Sequence, residues 1–344
     1  MSRLRRRLPT RLALLLCALA PLGAFAQSKG LEIDIVGGNA AALPIAVVPF
    51  GGNAGDTDID VFVRADLARS GQFRTIGEAA MPERPTSGSE VAYPTWRMLK
   101  QDFVLVGRSL PEGSGYRIEY ELFDVAKQER LLGFALTAPA GAMRDVAHQI
   151  SDAVYEKILG VPGAFWTRIA YVTASGLGRQ SRYALMVADA DGWNPRTVVN
   201  STEPLMSPSW SPDGRRLAYV SFEGGNSGVY IQDIASGSRE KVASFRGING
   251  APAFSPDGNR LALTLSKGGN PDIYVMDLGS KHLTQVTNHF GIDTEPSWSP
   301  DGQFIAAKKH FTTGRSLGTG EIWLYHISGA NGVPLVKRAS EQCR

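Results

Sequence analysis

The sequence predicts an α/β N-terminal domain followed by an all-β propeller, and three observations predict it. Ser-Pro-Asp-Gly occurs three times, at 211–214, 255–258 and 299–302, with both spacings equal to 44 residues. A fixed period in that range marks a repeat architecture whose units cannot bury their apolar faces alone. Asp233 and Asp277, again 44 apart, close two alternating runs, Val-Tyr-Ile-Gln-Asp and Ile-Tyr-Val-Met-Asp. Upstream of the repeats, residues 43–162 alternate between strand-like and helix-like patterns.

Taken in order, residues 1–26 read as a secretory signal peptide. Arg3, Arg5, Arg6, Arg7 and Arg11 form a basic region, residues 12–22 an apolar one, and Ala24-Phe25-Ala26 a small-residue cleavage site. That apolar run is too short for a stable membrane span. Leu16 before Cys17 is not the small residue a lipoprotein cleavage site requires, so ordinary export without a lipid anchor is expected. Cleavage removes five Arg and no acid, leaving 31 basic against 33 acidic residues, a net charge of −2. No basic stripe points to nucleic acid. Cys343 is then the sole cysteine, so no intrachain disulfide is expected.

Residues 27–42 are an extended segment in which Leu31-Glu32-Ile33-Asp34-Ile35 alternates before Gly37-Gly38 breaks the pattern. Within 43–162, residues 44–50 read as a buried strand and 58–70 as an amphipathic helix. A helix is expected at 94–100, and strands at 103–108, 116–125 and 131–137. The clearest helix is 142–159, with Val146, Ile150, Val154 and Ile158 on one face and Gly160 as its stop. Val161-Pro162-Gly163 is the expected boundary with the propeller at 163–344.

In each repeat an aromatic (Trp210, Phe254, Trp298) precedes the turn, and an apolar residue (Leu217, Leu261, Ile305) opens the next strand. Pro presets φ at the second turn position, Asp suits the third and Gly frees the fourth, so Asp213, Asp257 and Asp301 are structural. Units of this length with about four strands each are propeller blades. A divergent earlier unit is expected because residues 183–189 lie 44 before the strand ending at Asp233. Four modules result, roughly 165–203, 204–247, 248–291 and 292–337.

Enzyme signatures fail on context. Gly314-Arg315-Ser316-Leu317-Gly318 fits the nucleophile-elbow pattern but sits in a hairpin between strand-like runs, where the motif needs a strand before it and a helix after it. His148 lies on the long helix, and His282, His289, His310 and His326 occupy unrelated phases of the repeats. His282 and His289 with Asp293 are a conceivable metal set, but no ligand spacing recurs. Neither a dinucleotide fingerprint nor a Walker loop is present. Glycines 224–225 and 268–269 recur at 44 residues and read as hairpin turns. No cofactor, metal or catalytic residue is expected.

With these pieces in place, the chain resembles the TolB family of periplasmic propeller proteins of the Tol-Pal system. The residues that carry the resemblance are 31–50 (LEIDIVGGNAAALPIAVVPF), 63–73 (VRADLARSGQF), 96–107 and 163–172 (GAFWTRIAYV). In the blades they are 204–220 (PLMSPSWSPDGRRLAYV), 249–257 (NGAPAFSPD) and 274–278 (YVMDL). It covers about residues 27–302. It implies a propeller of the TolB/PD40 type with about four of six blades present, acting as a binding protein and not an enzyme. The implied partners are the peptidoglycan-associated lipoprotein (Pal) and TolA, with no nucleic acid and no membrane span after signal cleavage, in a chain that is monomeric if folded. The implied roles are outer-membrane integrity and cell division. The lipoprotein-facing positions carried over are Glu203, Leu205 and Met206, then Asn249 and Ala251, then Thr294 and Glu295. The TolA-facing positions are Gln27, Leu31, Glu32, Ile33, Asp34 and Ile35. Where the family often has His before Asn-Gly, this chain has Ile248.

From Phe304 onward the likeness stops. The hairpin is five residues longer, so that Tyr274 and Trp323 are 49 apart instead of 44. This stretch resembles blades of propellers fused to exported amidohydrolases. An alternative reading is therefore an exported propeller presenting substrate to a hydrolase or lyase, in which the α/β domain has no role. An open fan of four modules leaves two edges unprotected, so marginal stability or aggregation is expected.

Overall fold

The computed structural model describes residues 42–52, 55, 57–313, 316–329 and 331–336. The expected signal peptide and the extended segment up to residue 41 lie outside the described residues.

The first sheet explains why residues 44–50 read as one continuous apolar run. Strand β1 (Leu43–Val47) is followed by helix α1 (Ile59–Arg69), β2 (Phe73–Thr75), helix α2 (Tyr93–Met98), β3 (Phe103–Glu112), β4 (Gly115–Asp124), β5 (Glu129–Pro139) and helix α3 (Met143–Leu159). The sheet order is β2-β1-β3-β4-β5, with β1 parallel to both neighbours and β3-β4-β5 an antiparallel meander. A strand covered on both faces carries no polar alternation. On one face Ile45, Val47, Leu105 and Ile118 meet Val63 and Leu67 of α1 and Val146, Ile150 and Val154 of α3. On the other, Ala46, Val48, Val104 and Val106 pack on Trp96, which is fully buried. Gly160 ends α3 at φ 73°, donating its N–H to the Glu156 carbonyl at 2.8 Å. Strand β2 had no sequence signal, since three residues are too few to show a period.

Beyond the linker the chain builds four sheets. The first is β6 (Arg168–Ser175), β7 (Arg182–Asp189) and β8 (Arg196–Ser201). The second is β9 (Leu205–Trp210), β10 (Arg216–Ser221), β11 (Gly228–Asp233) and β12 (Arg239–Ala243). The third is β13 (Asn249–Phe254), β14 (Arg260–Leu265), β15 (Asp272–Asp277) and β16 (Leu283–Gln285). The fourth is β17 (Ile292–Trp298), β18 (Phe304–Thr313), β19 (Ser316–His326) and β20 (Val333–Val336). Each is an antiparallel meander, and β9, β13 and β17 contact one another along the inner side of the fan. The first sheet has three strands, with β6 at its edge.

The Ser-Pro-Asp-Gly turns join β9 to β10, β13 to β14 and β17 to β18, and they are closed units. Gly214, Gly258 and Gly302 sit at φ 65°, 71° and 68°, each donating its N–H to the turn serine carbonyl at 2.9 Å. The serine hydroxyl donates to the aspartate and accepts the N–H five residues on, at 2.9 Å in all three turns. The serine hydroxyl, followed by the backbone N–H two residues on, holds Asp213, Asp257 and Asp301 below the usual carboxylate range. A lowered native pKa contributes stability that is complete above the unfolded value, about pH 4, and is lost as pH falls through the native value. The melting temperature is therefore expected to fall steeply below about pH 4. In the triple variant Asp213→Asn, Asp257→Asn, Asp301→Asn that acid slope should flatten, and an unchanged slope would remove the turns from the account.

Neighbouring sheets are joined by a repeated arginine. Arg168, Arg216 and Arg260 open β6, β10 and β14, and each lies over the aromatic of the next sheet. The distances are 5.0 Å to Trp210, 5.3 Å to Phe254 and 4.8 Å to Trp298. Each also donates to the next turn's glycine carbonyl, at 2.8 Å to Gly214, 3.0 Å to Gly258 and 3.3 Å to Gly302. Phe304 holds this strand position in the fourth sheet, pairing with His326 as Arg260 pairs with Asp277. Arg260→Ala is expected to cost about 1 to 2.5 kcal/mol, the sum of a cation–π contact of about 0.5 to 1 and one long hydrogen bond of about 0.5 to 1.5. A urea midpoint equal to that of the unmodified chain would refute this.

Candidate functional site, the bulged inner-strand face

Three inner strands break their ladders at the same repeat position. Ser207-Pro208, Ala251-Pro252 and Glu295-Pro296 each place two residues opposite one, at register shifts facing Tyr219, Leu263 and Ala307. Proline has no N–H to donate, which forces the interruption. The residue before each proline is left-handed, at φ 50°, 44° and 56° for Ser207, Ala251 and Glu295. Non-glycine residues held there cost about 1 to 3 kcal/mol each, and such strain gathers at functional sites.

The bulges converge on a cavity of about 650 Å³. Met206, Ser207, Asn249, Ala251, Thr294 and Glu295 line it, with Phe222, Ile248 and Thr264 completing its walls. Met206 and Ile248 are half exposed. Glu295 is 68% exposed and lies 4.0 Å from Lys308, so a carboxylate and an ammonium stand beside a hollow whose walls mix Met206, Phe222 and Ile248 with Ser207, Thr264 and Thr294.

The structure sorts the sequence-derived positions. Met206, Ala251, Thr294 and Glu295 lie together in the lining of this cavity. Leu205 is corrected: its side chain packs inward with Leu185, Leu217 and Tyr219, 4% exposed, because β9 alternates its faces and turns this residue to the core. Asn249 is corrected likewise. It is fully buried, accepting the Phe245 N–H at 2.7 Å and donating to the Phe245 and Gly247 carbonyls at 2.7 and 3.2 Å. It builds the loop beneath Ile248 and offers no side-chain donor to a partner. Glu203 is exposed but outside the cavity lining. Gln27, Leu31, Glu32, Ile33, Asp34 and Ile35 lie outside the described residues.

Ile248 and Phe222 were missed as site residues. The available signal was an apolar residue flanked by glycine and asparagine in a loop, as in Gly247-Ile248-Asn249. Ile248 is pinned through its N–H to Ser266 Oγ at 2.7 Å. Behind Thr294, the buried Asp293 accepts the Tyr325 hydroxyl at 3.0 Å, and Lys309 Nζ donates to Tyr325 at 3.0 Å. Burial, then the Asp293 charge, pushes the Tyr325 phenol up. Asp293 is thus engaged by Tyr325 and, at 3.7 Å, by Lys309. Among the described residues no group of three or more His, Cys, Asp and Glu gathers around a possible metal position. Ser316 opens β19 in a hairpin with β18, and residues 314–315 of the elbow-like pattern lie outside the described residues.

An α/β domain followed by four-stranded modules with bulged inner strands defines a two-domain propeller protein. Residues 31–131 match the TolB amino-terminal domain and 155–340 the TolB beta propeller domain, and the chain belongs to the TolB family. The Tol-Pal system protein TolB of Xanthomonas campestris pv. campestris (strain B100) is 65% identical over 245 residues, 70% of this chain and 56% of the relative. That of Xanthomonas euvesicatoria pv. vesicatoria (strain 85-10) is 64% identical over the same length. The chain thus spans little more than half the length of these relatives. The crystal structure of TolB from Acinetobacter baumannii superposes with a TM-score of 0.76 at 36% identity, covering 87% of this chain and 72% of that one. The match to the amino-terminal domain gives the α/β half a place that the hydrolase or lyase alternative lacked.

Proposed function

We propose that this chain is a periplasmic protein-binding component of the Tol-Pal type that works without catalysis. The face around the 650 Å³ cavity holds the peptidoglycan-associated lipoprotein. The segment carrying Gln27, Leu31, Glu32, Ile33, Asp34 and Ile35 contacts TolA. The chain thereby links inner-membrane Tol proteins to the outer envelope, with consequences for outer-membrane integrity and cell division.

The observation that carries this reading is the convergence of three strained bulges on one hollow, with apolar Met206, Phe222 and Ile248 in its walls and Glu295 at its edge. A preformed concavity binds with little reorganisation cost, and apolar burial in it supplies affinity while Glu295 and Lys308 set orientation. Ordering a short segment on binding costs entropy and keeps the contact reversible, so docking of residues 27–35 can be linked to events elsewhere on the chain.

The test is capture of purified envelope lipoprotein by residues 27–344. Met206→Ala combined with Glu295→Ala is expected to weaken capture by about tenfold, roughly 1.4 kcal/mol. Glu203→Ala, outside the cavity, should leave it unchanged. Capture by the double variant equal to that of the unmodified chain would overturn the assignment of this face.

A further inference from the structure

We infer that His148 is a proton-operated clamp between the α/β domain and the first propeller module, tightening their junction as pH falls. The imidazole is 2% exposed and stands between two carboxylates from different parts of the fold. Its Nδ1 donates to Asp66 Oδ2 of α1 at 2.6 Å. Its Nε2 faces Asp191 Oδ2, in the turn after β7, at 3.8 Å, and has no hydrogen-bond partner.

The charged and polar groups around it come from all three packed elements. From α1, Asp66 is saturated, since Ser151 Oγ also donates to its Oδ2 at 2.8 Å and Arg69 to its Oδ1 at 2.7 Å. From α3, Arg144 pairs with Asp191 while lying over the rings of Phe62 and Trp193 at 4.3 and 4.9 Å. From the turn, Asp191 Oδ1 accepts the Trp193 N–H at 3.0 Å. Burial alone would raise the Asp191 carboxyl. The Trp193 N–H and the charges of Arg144, of His148 once it is protonated, and of Arg69 outweigh it and hold the group below its ordinary range, so Asp191 stays ionised.

The polarity of this arrangement follows from one proton. In the neutral ring, with Nδ1 protonated toward Asp66, a lone pair on Nε2 confronts the Asp191 carboxylate, leaving Arg144, through Asp191 and Trp193, to hold the two parts together. A proton taken from water at Nε2 makes that nitrogen a charged donor aimed at Asp191. A charge-assisted N–H···O bond spans about 2.7 to 2.9 Å, so the turn needs to close by about 1 Å. Beside the cluster a cavity of about 300 Å³, lined by Arg69, Tyr155, Phe165 and Ala190, leaves room for the shift.

The experiment measures the distance between spin labels at Lys157→Cys on α3 and Ala235→Cys in the second module, in a Cys343→Ser background. Between about pH 8 and pH 5 the distance distribution is expected to shorten and narrow in a single-proton transition. His148→Gln and, separately, Asp191→Asn should each abolish that transition. Asp191→Asn alters a turn and leaves the helix core intact, so it decides the matter if His148→Gln fails to fold. A pH-independent distribution in the unmodified chain would overturn the clamp. So would the same transition persisting in Asp191→Asn, or a His148 imidazole whose ring signals show no protonation down to about pH 5.

Discussion

Replacing Asp66 with alanine is expected to remove about 3 to 5 kcal/mol of stability, the largest loss for any single polar residue in the α/β domain. The carboxylate is 1% exposed and receives donors from Arg69 of its own helix and from the buried His148 and Ser151, which join α1 to α3. Truncation strands buried donors that water cannot reach, and each costs its full desolvation. Asp66→Asn keeps the shape and one acceptor, and should cost about 1 to 3 kcal/mol. Urea unfolding followed by far-ultraviolet circular dichroism measures both. An alanine variant within 1 kcal/mol of the unmodified chain would contradict the assignment, a margin well inside the usual few kcal/mol of domain stability.

The second large effect concerns the repeats. Leu263→Ala is expected to cost about 2 to 5 kcal/mol, because a fully buried leucine leaves a cavity that a close-packed interior fills only in part. Leu263 of β14 belongs to one apolar cluster with Ala218 and Val220 of β10 and Val229 of β11, in the neighbouring module. The loss should therefore be shared across the module boundary. Amide hydrogen exchange should rise in both β10 and β14. Faster exchange confined to the third sheet would mean that the modules unfold independently, contrary to the shared cluster.

Much of this was legible in the chain itself. Each Ser-Pro-Asp-Gly turn closes its own hydrogen bonds within six residues, so its meaning is local and survives in sequence. The same holds for α3, whose inward face recurs every turn and whose stop is a glycine at positive φ. The site was legible only in part. Met206 and Thr294, two repeats apart, and Ala251 and Glu295, one repeat apart, line one cavity because the repeat places equivalent residues at equivalent heights. Leu205 and Asn249 hold the same repeat position, opening β9 and β13, yet their side chains serve the core and a loop. Where a side chain at a strand's start points depends on the bulge that begins two residues on.

Sequence alone determined the export signal reading, the period, the turn chemistry, the two-part order of domains and the family. All are set by residues within one turn or one repeat of each other. Tertiary structure alone decided three things. Asn249 serves a loop and Ile248 the surface; Arg216 and Arg260 reach the following sheet; and His148 stands between Asp66, 82 residues away, and Asp191. Those outcomes depend on which groups are buried together. Burial at long range is a property of the packed chain, and no local period encodes it.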